Sequence, residues 1–200
     1  VSVSALFPER IETERLRLER LGHEHVDVFE YHELCSGERT DIEAITRYLP
    51  WDPHESVKET SEYLDSLERK WDRGERAEYV IRPKPGEDGE GEIAGAGGLI
   101  VDWETLTGKP AIWLRKPFWG RGYSGERAAA MIELAFERLD LDLVAVPVQD
   151  GNERSRAAVE RYVDEHGGQY DGIVRNATRR PDGEIIDHHR YTVTAEQYDS

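Results

Sequence analysis

The order of elements read from the sequence, β α α β β β α β α β β, defines an α/β (mixed α+β) fold: a mostly antiparallel mixed central sheet flanked by helices. Three observations predict it. Leu16 and Leu18 alternate with charges over 11–20, as in a half-buried strand. Ala128, Ile132, Ala135, Phe136 and Leu139 recur with helical spacing. Two β-rich stretches, about 170–178 and 185–193, flank Pro181-Asp182-Gly183, a hairpin signal.

The other elements follow in order. Val26, Phe29 and Leu34 predict a short helix over 23–34, and Tyr48 to Glu55, with two prolines, a loop. Ser56 opens a second helix with Glu59 three residues on, a capping-box pattern. Its apolar positions are Val57, Tyr63, Leu64, Leu67 and Trp71, and Gly74 stops it. Residues 77–82 read as a strand, and Pro83 to Gly91 as an exposed connection. Residues 92–101 read as a glycine-rich strand whose backbone something approaches closely; 111–115 make the next strand. A cluster from Gly120 to Gly125 precedes the clearest helix, about 124–138. Residues 143–148 form a buried strand. Asn152 caps a helix carrying Ala158, Val159, Tyr162 and Val163, which Gly167 and Gly168 end. No repeat is visible, and the chain reads as one domain, 1–200.

Charge excludes several functions. The 200 residues hold 42 Asp and Glu against 26 Lys and Arg, a net charge of -16. Such a surface repels nucleic-acid phosphates and anionic lipid. Only Lys58, Lys70, Lys84, Lys109 and Lys116 are lysines; the other basic residues are arginines. Acidic excess with scarce lysine resembles proteins of salt-loving organisms, whose self-repelling surfaces salt screens. With one cysteine, Cys35, no intrachain disulfide forms. No apolar run reaches the roughly 20 residues a membrane span needs, and the N-terminus lacks the marks of a signal peptide. The expectation is a soluble, cytoplasmic protein with no nucleic-acid or membrane partner. Its oligomeric state is left open, a homodimer among the options.

Chemistry concentrates at Gly120-Arg121-Gly122-Tyr123-Ser124-Gly125, between a strand and a helix. Glycines there let backbone N–H groups converge on one anion beside the positive end of a helix, and a pyrophosphate is the natural occupant. The string matches G-x-G-x-x-G. The dinucleotide reading needs a run of βαβ units and an acid at the end of the next strand, yet Val144 to Val148 offer none before Asp150. A nucleoside triphosphatase needs a Lys-Ser/Thr pair that does not close this loop. A tight turn without a ligand is the plainest alternative.

The third reading is a coenzyme A site. Phe118 to Glu126 resembles the acyl-CoA loop of the GNAT superfamily of N-acetyltransferases, in its RimJ/RimL-type branch. Thr13-Glu14-Arg15-Leu16-Arg17-Leu18 is similar to that branch's opening strand. Tyr48 to Trp51 with Glu55-Ser56 is similar to its loop before the second helix. Asn152 to Ser155 matches its second cofactor motif and Tyr170 to Gly172 its closing segment. Against the general loop pattern Gln/Arg-x-x-Gly-x-Gly/Ala, Trp119 replaces the first residue and Ser124 the last. Gly167-Gly168 stands where Gly-Phe is usual.

The resemblance implies transfer of an acetyl group from acetyl-CoA to a primary amine, with no metal. The amine would be a peptide N-terminus, of the ribosomal-protein type among others, or a small amine. It assigns cofactor contacts to Trp119, Gly120, Arg121, Gly122, Tyr123, Ser124 and Gly125. It places the oxyanion donor near Trp113-Leu114 and the pantetheine arm at Asn152, supported by Ser155. Arg121 and Arg127 are candidates for CoA phosphates. The tyrosine acid common in the superfamily would fall at Val159, so it is absent; Tyr162 reads as core. Asp102, Glu104 and His54 are the candidate bases, and Trp51 and His54 would line the amine pocket, Trp51 equally reading as a core anchor. His23, His25, His188 and His189 read as surface histidines without metal spacing, and Cys35 as a packing or surface residue. A non-catalytic acyl-CoA-binding protein of the same fold is the alternative, a dinucleotide-binding domain the more distant one.

Overall fold

Residues Arg10–Glu12 (β1) and Leu16–Arg20 (β2) form a hairpin where one strand is expected. The break is Thr13. Its Oγ1 and N–H both bond Leu16 O, at 3.2 and 3.0 Å, and its Oγ1 accepts from Leu16 N–H at 3.1 Å. That closes a side-chain-locked turn which places Arg15 at the hairpin tip. The computed structural model describes residues 6–37, 41–49, 51–180 and 183–199. Pro50, Pro181 and Asp182, which carry parts of two sequence expectations, and the first five residues lie outside these.

The remaining elements are α1 (Val28–Cys35), α2 (Ile42–Thr46), α3 (Val57–Asp72), β3 (Arg76–Pro83), β4 (Gly95–Asp102) and β5 (Thr107–Leu114). A 3-10 turn at Lys116–Phe118 leads to α4 (Tyr123–Glu133), β6 (Leu143–Gln149), α5 (Glu153–Glu165), β7 (Gln169–Arg179), β8 (Ile185–Thr194) and α6 (Ala195–Tyr198). The strands make one eight-stranded sheet in the order β1-β2-β3-β4-β5-β6-β8-β7. The short helices α2 and α6 were not expected. α1 starts later than its periodicity suggests because Asp27 caps it, accepting from Phe29 and Glu30 N–H. The expected helix over 124–138 is α4 followed by a wider π turn over Leu134–Arg138, where Leu139 N–H bonds Leu134 O.

The chain divides into two units. The first comprises 1–98 and 112–123. In it β2 pairs antiparallel with β3, and α3 buries Thr60, Leu64, Leu67 and Trp71. The spacing is a clean helical stripe once Thr60 is counted. Ser56 Oγ accepts from Glu59 N–H, but Glu59 returns its carboxylate to Glu55 N–H, so the expected capping box closes one residue early. Gly74, at φ +70°, ends α3: Gly74 N–H bonds Trp71 O and Glu75 N–H bonds Lys70 O. The core around Tyr31, Leu64, Leu67, Val80 and Trp113 is almost fully buried.

The second unit comprises 99–111 and 124–200. There β6 pairs with β8 over seven residue pairs, and β7 forms the outer strand. The parallel ladder of β5 with β6 consists of Thr107–Leu143 and Gly108–Val144. Pro147, in β6, lies beyond that ladder, where a missing N–H costs least. Among the described residues no helix is long and apolar enough to cross a membrane.

Candidate active site

The loop 119–125 is held from below and open above. Gly120 and Gly122 have φ of +76° and +81°, a conformation that side-chain-bearing residues rarely adopt. A Cβ added at Gly120 or Gly125 would meet nothing within 4 Å. This open backbone runs into the first turn of α4, whose leading N–H groups have no helical acceptor. The arrangement fits a pyrophosphate.

The bracing residues were mostly illegible in the sequence. Trp119 Nε1–H donates to Leu114 O at 2.7 Å, and Arg15 Nη1 donates to Arg121 O at 2.9 Å. The Arg15 guanidinium stands 5.2 Å from the Tyr123 ring centre. Tyr123 is buried, its hydroxyl donating to Glu87 at 2.7 Å. Of the expected cofactor contacts, Tyr123 therefore offers its backbone N–H and anchors the loop by its side chain. The connection 83–91 is no free excursion: Arg121 Nη1 donates to Asp88 O at 2.8 Å, and a Cβ on Gly89 would lie 2.8 Å from the Phe118 ring.

Trp113 packs its side chain in the core, so near Trp113-Leu114 the backbone is what a ligand could meet. The glycines of β4 answer to close approach, as expected. A Cβ on Gly95 would collide with Trp113 O, and one on Gly98 with Ala77 O.

In the second unit, Asn152 Oδ1 accepts from Ser155 N–H at 3.3 Å and so caps α5. Its Nδ2 has no partner among the described residues and remains a donor. Gly167 and Gly168 end α5 as expected, their N–H groups donating to Asp164 O and Val163 O. Val159 and Tyr162 are buried in the core; burial pushes the Tyr162 hydroxyl up to about 12. Arg127 is 1% exposed, which removes it as a solvent-facing phosphate ligand.

Of the two carboxylate candidates, Asp102 is held as a weak base. Asp102 and Glu104 lie in the turn joining β4 to β5. Asp102 Oδ1 accepts N–H bonds from Glu104 and Thr105. A hydrogen bond from the Thr105 side chain, and then these N–H bonds, lower its pKa, because they stabilise its charged form. The turn precedes Thr107, whereas the glycine loop follows Leu114.

His54 is different. It is 8% exposed, and its backbone N–H bonds Cys35 O at 2.9 Å. Its Nδ1 lies 2.8 Å from Thr60 Oγ1, and His32 Nδ1 reaches the same oxygen at 2.9 Å. Trp51, half-buried on the core, meets Trp113 edge-on at 6.0 Å and the His54 ring at a tilt, at 5.9 Å. His32, Ser36, Gly37, Pro53, His54 and Glu55 line a pocket of about 340 Å³. Burial holds the His54 pKa below its ordinary 6.5, against the opposing charge of Glu59. A buried neutral imidazole contributes stability that is complete above 6.5 and lost as pH falls through the lower folded value. Urea unfolding of the wild type and His54→Gln across about pH 5 to 8 checks this: the variant's deficit should shrink, or reverse, toward the acid end. A deficit constant with pH would contradict it.

Of the histidines read as surface residues, His23 is exposed as expected and His189 is not. His189 is buried, with Tyr170 Oη at 3.0 Å on Nδ1 and Asp150 Oδ1 at 3.2 Å on Nε2. His188 is half-buried. His23 meets Asp65 at 3.0 Å, and with Glu68 the three place ligand-type atoms within 4.8 Å of one another; spacing within His23–His25 does not reveal it, because the carboxylates come from α3. Cys35 is buried and takes part in no disulfide among the described residues.

Comparison with known proteins places this geometry. Residues 15–162 match the family model of the acetyltransferase (GNAT) domain. The chain is 40% identical over 65 residues to "Putative ribosomal N-acetyltransferase YdaF" of Bacillus subtilis (strain 168), a match spanning 32% of this chain and 36% of that relative. The solved structure of RimL, a ribosomal L7/L12 α-N-protein acetyltransferase, superposes with TM-score 0.75 at 19% identity, covering 93% of this chain and 94% of that one. The microcin C7 self-immunity acetyltransferase MccE, solved with acetyl-CoA and AMP, superposes with TM-score 0.76 at 16% identity, covering 95% and 98%. The model match, running from the Arg15 hairpin through the glycine loop and Asn152 to Tyr162, shows that the chain belongs to the GNAT acetyltransferase family.

Proposed function

We propose that this protein transfers an acetyl group from acetyl-CoA to a primary amine, and that its acceptor is the α-amine of a polypeptide, in the manner of the RimJ/RimL-type branch. The observation that carries the reading is the braced, open glycine loop leading into α4. Gly120, Gly122 and the first N–H groups of α4 would hold the pyrophosphate, with Arg121 beside it. Ser124 adds a hydroxyl donor at the same place. Asn152 Nδ2 would serve the pantetheine arm, and Ser155 keeps Asn152 in position. Acetyl-CoA supplies the acetyl group as an activated thioester.

An amine attacks only when neutral. An α-amine with pKa near 8 is partly neutral at physiological pH, whereas a lysine near 10.4 is about 0.1% neutral. A modest base suffices for the first, and His54, uncharged and facing the pocket, is the group suited to it. Asp102 and Glu104 take no part in this reading. Val159 provides no acid for the departing thiolate, so that group leaves unassisted by this helix.

The test is thiol release from acetyl-CoA with two peptides of one sequence, one with a free α-amine and an acetylated lysine, the other with the reverse. The α-amine peptide should be preferred by roughly 100-fold, on the order of the difference in neutral fraction. Acetyl-CoA binding without turnover across peptides and small amines would instead establish a non-catalytic acyl-CoA-binding protein.

A further inference from the structure

We infer that Thr60 and His32 act with His54 as a proton relay, which takes the proton from the acceptor amine at His54 Nε2 and delivers it to solvent at His32 Nε2. The inference rests on the proposed amine chemistry and assigns it two residues.

The geometry is a hydroxyl shared by two imidazoles. Thr60 Oγ1 is 2.8 Å from His54 Nδ1 and 2.9 Å from His32 Nδ1, and Thr60 is fully buried. Its other polar neighbour, Ser56 O, is 3.4 Å away, at the limit of a hydrogen bond. A hydroxyl has one proton to donate. With both short contacts satisfied, one histidine donates Nδ1–H to Oγ1 and the other accepts the hydroxyl proton at Nδ1. The two rings are therefore opposite tautomers, coupled through one oxygen.

In the resting state the His54 Nδ1–H donates to Oγ1, and the hydroxyl donates to His32 Nδ1. His54 Nε2 then carries a lone pair, and His32 carries Nε2–H. A proton taken up at His54 Nε2 breaks the amine N–H bond as the nitrogen attacks. His54 Nδ1–H passes to Oγ1, the hydroxyl proton passes to His32 Nδ1, and His32 releases Nε2–H to water. Each of the three residues gains one proton and loses one, and the nitrogen keeps the electron pair it uses for attack. Both histidines end neutral with their tautomers exchanged. Proton exchange of both rings with water resets the pair.

Burial gives the direction. His54 is 8% exposed and His32 is partly exposed, so the cation is less costly on His32. The groups facing the pair are Glu59 and Tyr63 of α3, Glu55 of the preceding loop, and Trp51. Glu59 favours the cation on His54, and the charge of His32 opposes it. The local frame is rigid: Ser36, just after α1, bridges His54 in parallel, and Ser56 caps α3 four residues before Thr60. The three groups thus come from α1, the loop and α3.

Thr60 and His32 are positioning residues, so the test needs more than a rate. Long-range ¹H–¹⁵N spectra of the imidazoles in the full chain at mildly alkaline pH should show His54 as Nδ1–H and His32 as Nε2–H. Both rings as Nδ1–H, or His54 as Nε2–H at rest, would overturn the relay. Thr60→Val should lower kcat with the α-amine peptide roughly tenfold, leave the KM for acetyl-CoA unchanged, and regain rate with added imidazole buffer. Thr60→Ser should restore the wild-type rate. If Thr60→Val does not fold, His32→Gln, at a partly exposed site, serves the same readout. Unchanged kcat, or loss without buffer rescue, overturns the relay while acetyl transfer stands. Absence of turnover in the wild type would instead overturn the acetyltransfer reading, and the relay with it.

Discussion

Gly122→Ala is expected to lower kcat/KM for acetyl-CoA by roughly 100-fold, mainly through KM. Two costs combine. At φ +81° a side-chain-bearing residue is strained by about 1–2 kcal/mol. The new Cβ would also stand 3.2 Å from Arg15 Nη2, displacing the guanidinium that holds Arg121 O. Together they amount to about 2–3 kcal/mol, and each 1.4 kcal/mol is tenfold. Gly120→Ala separates the two costs. Its φ is +76°, but its Cβ would meet nothing within 4 Å, so only the backbone strain remains, about tenfold. Calorimetric titration with CoA and steady-state kinetics on both variants check the gradient. Equal effects at 120 and 122 would remove Arg15 from the account, and wild-type affinity in both would remove the loop from the cofactor site.

Gly98→Ala should be the most destabilising single methyl in the first unit. Its Cβ would overlap Ala77 O and lie 2.8 Å from Glu78 Cα. Both are backbone atoms of β3, so no rotamer change relieves the contact, and the chain itself must move apart. Overpacking of this kind costs about 3 kcal/mol, a fall in Tm of about 10 °C for a chain of this size. Gly37→Ala is the contrasting case. Its nearest neighbour would be Pro53 Cβ at 3.8 Å, an ordinary contact, and stability should hold or rise slightly. Thermal unfolding followed by circular dichroism reads both. Equal melting points for Gly98→Ala and the wild type would show that the β3–β4 backbones are not so closely apposed.

What the sequence by itself determined is local. Ser56 and Asn152 cap the helices that follow them, and Gly74 and Gly167 stop helices in the left-handed conformation. The strand with glycines has the close backbone approach that its composition implies. The glycine loop and its helix were legible for the same reason: a turn of left-handed glycines leading into a helix is written in five or six consecutive residues. Thr13 was legible in principle, since a threonine that bonds three residues on closes a turn, yet the alternation of Leu16 and Leu18 masked it.

Only the tertiary structure decided which residues work together. Arg15 reaches Arg121 across 106 positions, and His32 reaches Thr60 across 28. His54 read as a loop histidine until α1 and α3 enclosed it. Arg127 was a candidate phosphate ligand until α4 turned it inward. Asp102 was a plausible base by proximity to a strand, but the hydrogen bonds of its own turn hold it as a charged acceptor. Periodicity and capping are legible because they reflect contacts within about four residues along one element. Burial of a charge, the sharing of a hydroxyl and the end of a strand a side chain occupies depend on packing between elements. That packing minimises exposed apolar area and unpaired polar groups over the whole chain at once, so no single segment records it.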